Sequence, residues 1–379
     1  MREAYLDNSA TTPVCSQAAQ KVLEMMTVCY GNPSSLHTKG IEAQKELMAA
    51  RKCLAEKLHC RPDELYFTSG GTEGNNLALF GAAYARRRLG NRLVISATEH
   101  SSVIESAAQL EKEGFEVVLI GTDEVGRIDE TAFAAAINEK TILVSMEMVN
   151  NETGAIQPVA SMEKAVRTKK APAQIHIDAV QAFGKIPVFP LQLGAHLLTI
   201  SAHKIFGPKG VGALFVRKDS RILPRTFGGE QEKKLRPGTE AAPFIAGFAA
   251  AVQALPEQEE ALKQIRLLRD SCLDQLRSLK GVEINSGSDA LPYVLNFSVR
   301  GIRSETMLHH LAAYGVFVSS GSACAKGKRS HVLEAMGLDR ARIDSAIRVS
   351  FGHQNTMEDV TQLIGALREG IEKLARARG

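Results

Sequence analysis

Tryptophan is absent from the 379-residue sequence, and aromatic residues make up only 5% of it. This scarcity argues against a surface that stacks nucleobases or sugars. Long hydrophobic runs are missing too, since the most apolar stretch, residues 241–255, contains a proline and is shorter than the roughly 18–20 residues of a membrane span. Acidic residues precede any apolar run at the N-terminus, which is therefore not expected to be a secretory signal.

Neither charge nor cysteine usage points to a special partner. Lys and Arg number 46 against 42 Asp and Glu, a net charge of +4 that is too balanced to predict nucleic-acid or membrane binding. The six cysteines are scattered, with no C-x-x-C pair, which argues against a zinc ribbon or a disulfide scaffold. We expect a cytoplasmic protein with no metal, no nucleic-acid partner and no membrane association.

Short β-rich runs alternate with stretches of helical length between residues 65 and 217. Several runs are apolar on both faces, as in a buried, mostly parallel sheet. The predicted strands are 65–68, 92–95, 116–120, 141–145, 174–177 and 197–200. This alternation predicts an α/β domain with helices on both faces of the sheet, and ligands bind such sheets at the carboxyl ends of the strands.

The pattern changes after Pro256. Apolar residues at helical spacing predict a long amphipathic helix that ends at Gly281, followed by strands at 281–284 and 293–299. A final helix is predicted to begin at Thr356, with Asp359 completing a capping box. We therefore predict a large domain at 15–255, and a smaller α+β domain formed by 1–14 and 256–379.

Three segments that follow predicted strands hold polar residues, and each segment alone allows either a functional or a structural interpretation. Residues 68–75 combine glycines with the start of a helix, which suits either an anion-binding loop or a tight turn. His100 follows the second predicted strand and could be a structural histidine. Asn151 lies in a segment, 150–154, that could equally be a simple turn.

Asp178 and Lys204 are more specific, because they follow consecutive predicted strands and lie 26 residues apart. A carboxylate after an apolar strand needs a partner, and the amine of a partly buried lysine becomes a nucleophile. Pyridoxal phosphate requires both groups, a lysine to form the Schiff base and a carboxylate to hold the pyridine nitrogen protonated. Alone, Asp178 could be a helix cap and Lys204 a surface residue.

Two further residues carry chemistry in the C-terminal part. Cys324 lies among small residues and next to Lys326, Lys328 and Arg329, which predicts an exposed loop that favours the thiolate. Arg348 lies within an apolar run and needs an anion, either a substrate carboxylate or a structural salt-bridge partner.

Together these motifs resemble the cysteine desulfurases of the NifS/IscS type, and the resemblance spans nearly the whole chain. The matching segments are YLDNSATTP at 5–13, GNPSS at 31–35, TSGGTEGN at 68–75, TEH at 98–100, VNNETG at 149–154, DAVQ at 178–181, SAHKIFGPKGVG at 201–212 and SSGSAC at 319–324.

The resemblance implies a homodimeric enzyme of pyridoxal-phosphate fold type I, with a mostly parallel seven-stranded sheet in the large domain. It implies conversion of L-cysteine to L-alanine, with the sulfur held on Cys324 as a persulfide and passed to an acceptor protein such as an iron–sulfur scaffold or another sulfur carrier. Lys204 looks like the Schiff-base lysine. The segment around Cys324 resembles the group with a long, mobile cysteine loop.

Other site residues follow by motif match. Asp178 would face the pyridine nitrogen and Gln181 the phenolic oxygen, while His100 would stack on the ring and serve as a proton carrier, with Asn151 at the ring edge. The phosphate would be held by Gly71, Thr72, Ser201 and His203, and by Thr239 across the dimer. Asn32 and Arg348 would bind the substrate carboxylate.

Departures from the family pattern and two rival functions complete the expectations. Ala202 replaces a more usual glycine, Pro237 a serine, and His353 an arginine found in many members.

One rival function is that of a selenocysteine lyase or another small-amino-acid enzyme of the same fold, which has no need of a loop thiolate. The other is a catalytically silent scaffold that binds sulfur-trafficking partners.

Overall fold

A computed structural model describes residues 2–320 and 329–374 of the chain. Twelve strands lie within these residues: β1 Ala4–Tyr5, β2 Leu65–Thr68, β3 Arg92–Ser96, β4 Glu116–Ile120, β5 Thr141–Glu147, β6 Gln174–Asp178, β7 Leu197–Ser201, β8 Gly212–Val216, β9 Val282–Ile284, β10 Val294–Val299, β11 Val316–Phe317 and β12 Ala346–Ser350. All six strands predicted between residues 65 and 200 are present, and only their ends differ.

The largest sheet of the described residues has seven strands in the order β2-β8-β7-β6-β5-β3-β4. β8 runs antiparallel to its neighbours β2 and β7, and the remaining pairs are parallel. The predicted α/β fold with a mostly parallel seven-stranded sheet is therefore confirmed. β8 was not predicted, because its short apolar run follows directly on the glycine-rich segment after Lys204.

Twelve helices surround the sheets in the described part of the chain: α1 Ser16–Thr27, α2 Thr38–Leu58, α3 Gly71–Arg86, α4 Ser101–Lys112, α5 Glu130–Ala136, α6 Ser161–Thr168, α7 Ala242–Gln253, α8 Gln258–Arg277, α9 Ser304–Ala313, α10 His331–Ala335, α11 Arg340–Asp344 and α12 Met357–Lys373. The predicted cap of the last helix is confirmed, since Asp359 Oδ2 accepts a hydrogen bond from the backbone N–H of Thr356 (2.9 Å).

Alternate residues of the central strands build two apolar layers. Leu93 and Ile95 of β3 pack with α3 and α4 on one face, and Val94 between them packs into the larger core on the other. Successive side chains of a strand point to opposite faces, so a strand covered on both sides must be apolar throughout. This explains why the central strands read as continuous hydrophobic runs.

Two smaller sheets join the N-terminal residues to the C-terminal part of the chain. β9, β10 and β12 form an antiparallel sheet, while β1 pairs in parallel with β11. Asp7 forms a further bridge with Ser350 at the end of β12. The predicted division into a large domain at 15–255 and a small domain formed by 1–14 and 256–379 stays a prediction. Within the described residues, we find no helix that is long and apolar enough to cross a membrane.

Candidate active site

A cavity of about 320 Å³ lies at the carboxyl ends of the parallel strands of the large sheet. It is also reached by β12 and by the residues directly before α10. Its lining includes nine of the residues predicted from the sequence: Gly71, Thr72, His100, Asn151, Asp178, Gln181, His203, Lys204 and Arg348. The fold thus brings into one cavity residues that lie up to more than 270 positions apart in the sequence.

Lys204 lies in a single 3-10 turn, Ala202–Lys204, directly after β7. Its Nζ donates hydrogen bonds to the backbone oxygens of Ser9 (2.6 Å) and Ala10 (2.8 Å), both in the N-terminal segment. The amine is therefore held at the cavity wall by a segment almost 200 residues away in sequence. These two hydrogen bonds to carbonyl groups orient the side chain.

Asp178 ends β6 and is 6% exposed. Its Oδ2 accepts from Nδ2 of Asn75 (2.7 Å), and its Oδ1 accepts from the backbone N–H of Val180 (2.9 Å). These two donors fix the plane of the carboxylate. Asn75 was not predicted as a site residue, although it lies in the quoted 68–75 motif. Only its position on α3 shows that it reaches Asp178.

The turn between β2 and α3 forms a cradle for an anion. Gly70 has φ +151°, a conformation that L side chains rarely adopt, and it places Gly71 at the start of α3. A Cβ on Gly71 would lie 2.9 Å from Cγ2 of Val180, so a side chain would fill the cradle. Ser201 Oγ is nearby and buried, with no hydrogen-bond partner among the described residues. An unpaired hydroxyl beside a helix N-terminus fits a phosphate group.

His100 caps the N-terminus of α4. Its Nδ1 accepts from the backbone N–H of Ser102 (3.1 Å), which leaves the proton of the neutral ring on Nε2. Burial, together with the positive charge of Lys204, outweighs the attraction of Asp178 and lowers the pKa of His100. The ring is therefore neutral at physiological pH.

Arg348 on β12 is 2% exposed and donates from Nη2 to Oδ1 of Asp7 (2.8 Å) and from Nη1 to the carbonyl oxygen of Asn151 (3.1 Å). The structural salt bridge considered from the sequence therefore exists. Its Nε has no hydrogen-bond partner in the described chain. The guanidinium thus keeps one buried donor without a partner among the described residues, and the substrate-binding role of Arg348 stays a prediction.

Several acidic residues around the cavity were not predicted. Glu147 lines the cavity, and Glu99 lies fully buried beside it. Burial raises the pKa of Glu147 to about 8 and that of Glu99 well above its ordinary value. Glu152 accepts a hydrogen bond from Ser330, the cap of α10. Sequence patterns gave no signal for these carboxyls, because each acquires its buried surroundings only in the folded chain.

Three predicted residues among those that the structure describes do not line the cavity, and a fourth lies outside the described part of the chain. Ser201 lies behind the anion cradle, and Thr239 is exposed on a loop. Asn32 is exposed, and its Oδ1 accepts from the backbone N–H of Ser34 (2.9 Å). Cys324 lies outside the described residues. The expected roles of these residues stay predictions.

Comparison with known proteins agrees with this geometry. The Aminotransferase class-V family matches residues 4–363. The chain is 38% identical to "Cysteine desulfurase IscS" of Methanosarcina thermophila, over 98% of this chain and 93% of that protein. It is also 38% identical to "Putative cysteine desulfurase IscS 1" of Bacillus subtilis, over 99% of this chain and 100% of that one.

Solved structures give the same picture. A structure titled "NIFS-LIKE PROTEIN" superposes with a TM-score of 0.93 at 36% identity, covering 98% of this chain and 100% of that chain. A second, "SspA in complex with cysteine", gives a TM-score of 0.83 at 30% identity, over 93% of this chain and 100% of that chain.

Proposed function

The chain belongs to the class-V aminotransferase family, and on that premise we propose that it is a pyridoxal-phosphate-dependent cysteine desulfurase. In this proposal it converts L-cysteine to L-alanine and transfers the sulfur to Cys324 as a persulfide. The observation that carries the proposal is that Asp178, which ends β6, and Lys204, which lies in the turn after β7, meet in one cavity with an anion cradle. The names of the full-length relatives support cysteine as the substrate.

The residues present fit the cofactor. The unpaired Ser201 hydroxyl and the N-terminus of α3 suit its phosphate, and the oriented Asp178 carboxylate suits its pyridine nitrogen. When bound, pyridoxal phosphate supplies an electron sink that stabilises negative charge at the substrate Cα. The residues that would hold it are Gly71, Thr72, His100, Asn151, Asp178, Gln181, Ser201, His203 and Lys204, with Thr239 reaching the phosphate of the second subunit.

The chain's own residues divide the remaining work. Arg348 and Asn32 bind the substrate carboxylate, and Lys204 Nζ takes the proton from Cα. The Cys324 thiolate then attacks the substrate sulfur, so that a sulfur–sulfur bond forms as the bond from Cβ to sulfur breaks. The electron pair of that bond remains on the carbon side, where protonation, with His100 as a carrier, completes alanine. No outside oxidant or reductant is needed.

Exposed apolar side chains support a homodimer. Leu23, Met26, Val28, Tyr30 and Leu36 are between 49% and 94% exposed along α1 and the segment that follows it. A cluster of this kind marks an interaction surface, and a second copy of the chain is the occupant that the family resemblance implies. Sedimentation of the purified protein as a single monomeric species would contradict this part of the proposal.

The persulfide would be delivered to a sulfur-acceptor protein, either an iron–sulfur scaffold or another sulfur carrier. The basic residues beside Cys324 in the sequence suit an acceptor with an acidic surface. A cytoplasmic location fits the scattered cysteines and the reduced thiol that the reaction needs.

The test is incubation of the cofactor-loaded protein with L-cysteine, followed by mass spectrometry of the peptide that contains Cys324. We expect that peptide to gain the mass of one sulfur atom, and the gain to be absent in Lys204→Ala. Lys209→Ala, which changes an exposed lysine in the same segment, should behave as the wild type. Alanine formation at an unchanged rate in Cys324→Ala would instead favour the other enzymes of this fold, such as a selenocysteine lyase.

A further inference from the structure

A second lysine, Lys185, lies buried behind the candidate active site. It is 7% exposed and follows Gln181 by one helical turn in the segment after β6. Its Nζ donates a hydrogen bond to Oε1 of Gln181 (2.9 Å) and lies 5.6 Å from the centre of the Tyr293 ring. Burying a cationic side chain costs free energy unless the charge is paired and hydrogen-bonded, and Lys185 has no part in the steps described above.

The contacts of Lys185 determine which end of the Gln181 amide is a donor. Oε1 of Gln181 faces Lys185, and Nε2 donates to the backbone oxygen of Ser9 (3.0 Å). A rotation of the amide by 180° would place its oxygen against the backbone oxygen of Ser9, two acceptors with no proton between them. The amide is therefore held from both sides, with its remaining N–H available to the cavity that Gln181 lines.

The neighbours that bear on the charge of Lys185 come from several parts of the chain. Lys204 and Lys185 share the wall of a small second cavity, which His353 also lines. Burial, the positive charge of Lys204 and that of Arg348 on β12 lower the pKa of Lys185 to about 7. Tyr293 presents its ring, and burial raises the pKa of its hydroxyl to about 12, so that it stays neutral. The charge of Lys185 is consequently sensitive to any change at Lys204.

We propose that Lys185 is a positioning residue, which orients the Gln181 amide so that it donates a hydrogen bond to the phenolic oxygen of the cofactor and adds positive charge behind it. This inference rests on the proposed function. A hydrogen-bond donor at that oxygen and a positive charge nearby would both lower the pKa of the proton that the cofactor shares with the nitrogen of Lys204. Loss of Lys185 should therefore make that proton harder to remove.

The experiment is a pH titration of the visible absorbance of the cofactor-loaded protein. In Lys185→Met the midpoint of this titration should rise by about one pH unit. That is the size expected when the phenolic oxygen loses the hydrogen bond that the Gln181 amide donates. Lys164→Met, which changes an exposed lysine on α6, is the matched control and should leave the midpoint unchanged. A purely structural role for Lys185 would lower thermal stability without moving the midpoint.

The same substitution in a Gln181→Leu background tests whether Lys185 acts through Gln181. We expect the added shift there to be clearly smaller than in the wild-type background. An unchanged midpoint in Lys185→Met, or an equal shift in both backgrounds, overturns the inference. If Lys185→Met does not fold, Lys185→Gln is titrated instead, and an upward shift is again required. Absence of any visible band in the loaded wild type would overturn the proposed function itself.

Discussion

A buried carboxyl at the edge of the active site makes the stability of the cofactor-free protein depend on pH. Glu147 ends β5, is 3% exposed and pairs in register with Asp178 on β6. Its Oε1 accepts from Nδ2 of Asn150 (2.8 Å). Burial, assisted by the negative charge of Asp178, raises the pKa of Glu147 to about 8 from an ordinary value of 4.5.

The sign of the effect follows from proton binding. Between 4.5 and about 8 the folded protein keeps a proton that the unfolded chain has released, so stability falls as the pH rises through this window. A shift of that size lowers the free energy of unfolding by about 3 kcal/mol between about pH 5.5 and about pH 8.5. Glu147→Gln removes the loss, because an amide does not titrate.

The assay is urea unfolding of the cofactor-free wild type and variant at both pH values. Other groups titrate as well, since burial lowers the pKa of His176 to about 4, but the contributions of groups that do not interact with Glu147 cancel in the difference between variant and wild type. We expect Glu147→Gln to gain stability relative to the wild type at the higher pH, and the exposed control Glu124→Gln to gain none. A stability difference that is the same at both pH values would refute the reasoning.

Four other predictions concern contacts at the site. Arg348→Lys loses the planar fork and should raise KM for L-cysteine about 10–100-fold in steady-state assays, whereas an unchanged KM would argue against substrate binding. Asn75→Leu removes a donor to Asp178 and should weaken cofactor affinity roughly tenfold in an absorbance titration, with equal affinity as the contrary result. Gly74→Ala places a Cβ 2.7 Å from Thr199 Cγ2 and should cost about 1–3 kcal/mol in urea unfolding; no loss would mean that the helix can shift freely. Ser330→Ala removes the cap of α10 and should cost about 1 kcal/mol in the same assay, and a neutral effect would show that the cap is dispensable.

The sequence predicted those parts of the site that local patterns encode. Lys204 and Asp178 could be found because each follows an apolar strand, and parallel strands bring their carboxyl ends to one edge of the sheet. The anion cradle could be found because glycines at a strand-to-helix turn leave a recognisable pattern. The family resemblance then assigned roles that spacing alone left open.

The remaining features depend on contacts between distant parts of the chain. Lys185 reads in sequence as an ordinary lysine after a glycine, and only the folded structure buries it against Gln181 and Tyr293. Arg348 could not be assigned a partner, because Asp7 lies 341 residues away. β8 was missed for a related reason, since a short apolar run becomes a strand only when β2 and β7 flank it.

The first residues of the chain complete a site whose other walls are formed by residues much later in the sequence. β1 pairs with β11, and the carbonyl groups of Ser9 and Ala10 hold the amine of Lys204. During synthesis on the ribosome, this N-terminal segment must wait, without its partner strand, until residues 316–317 have emerged. Pairings so distant in sequence form slowly and late. A partly synthesised chain therefore has no finished place for the cofactor, and capture of vitamin B6 is tied to completion of almost the entire polypeptide.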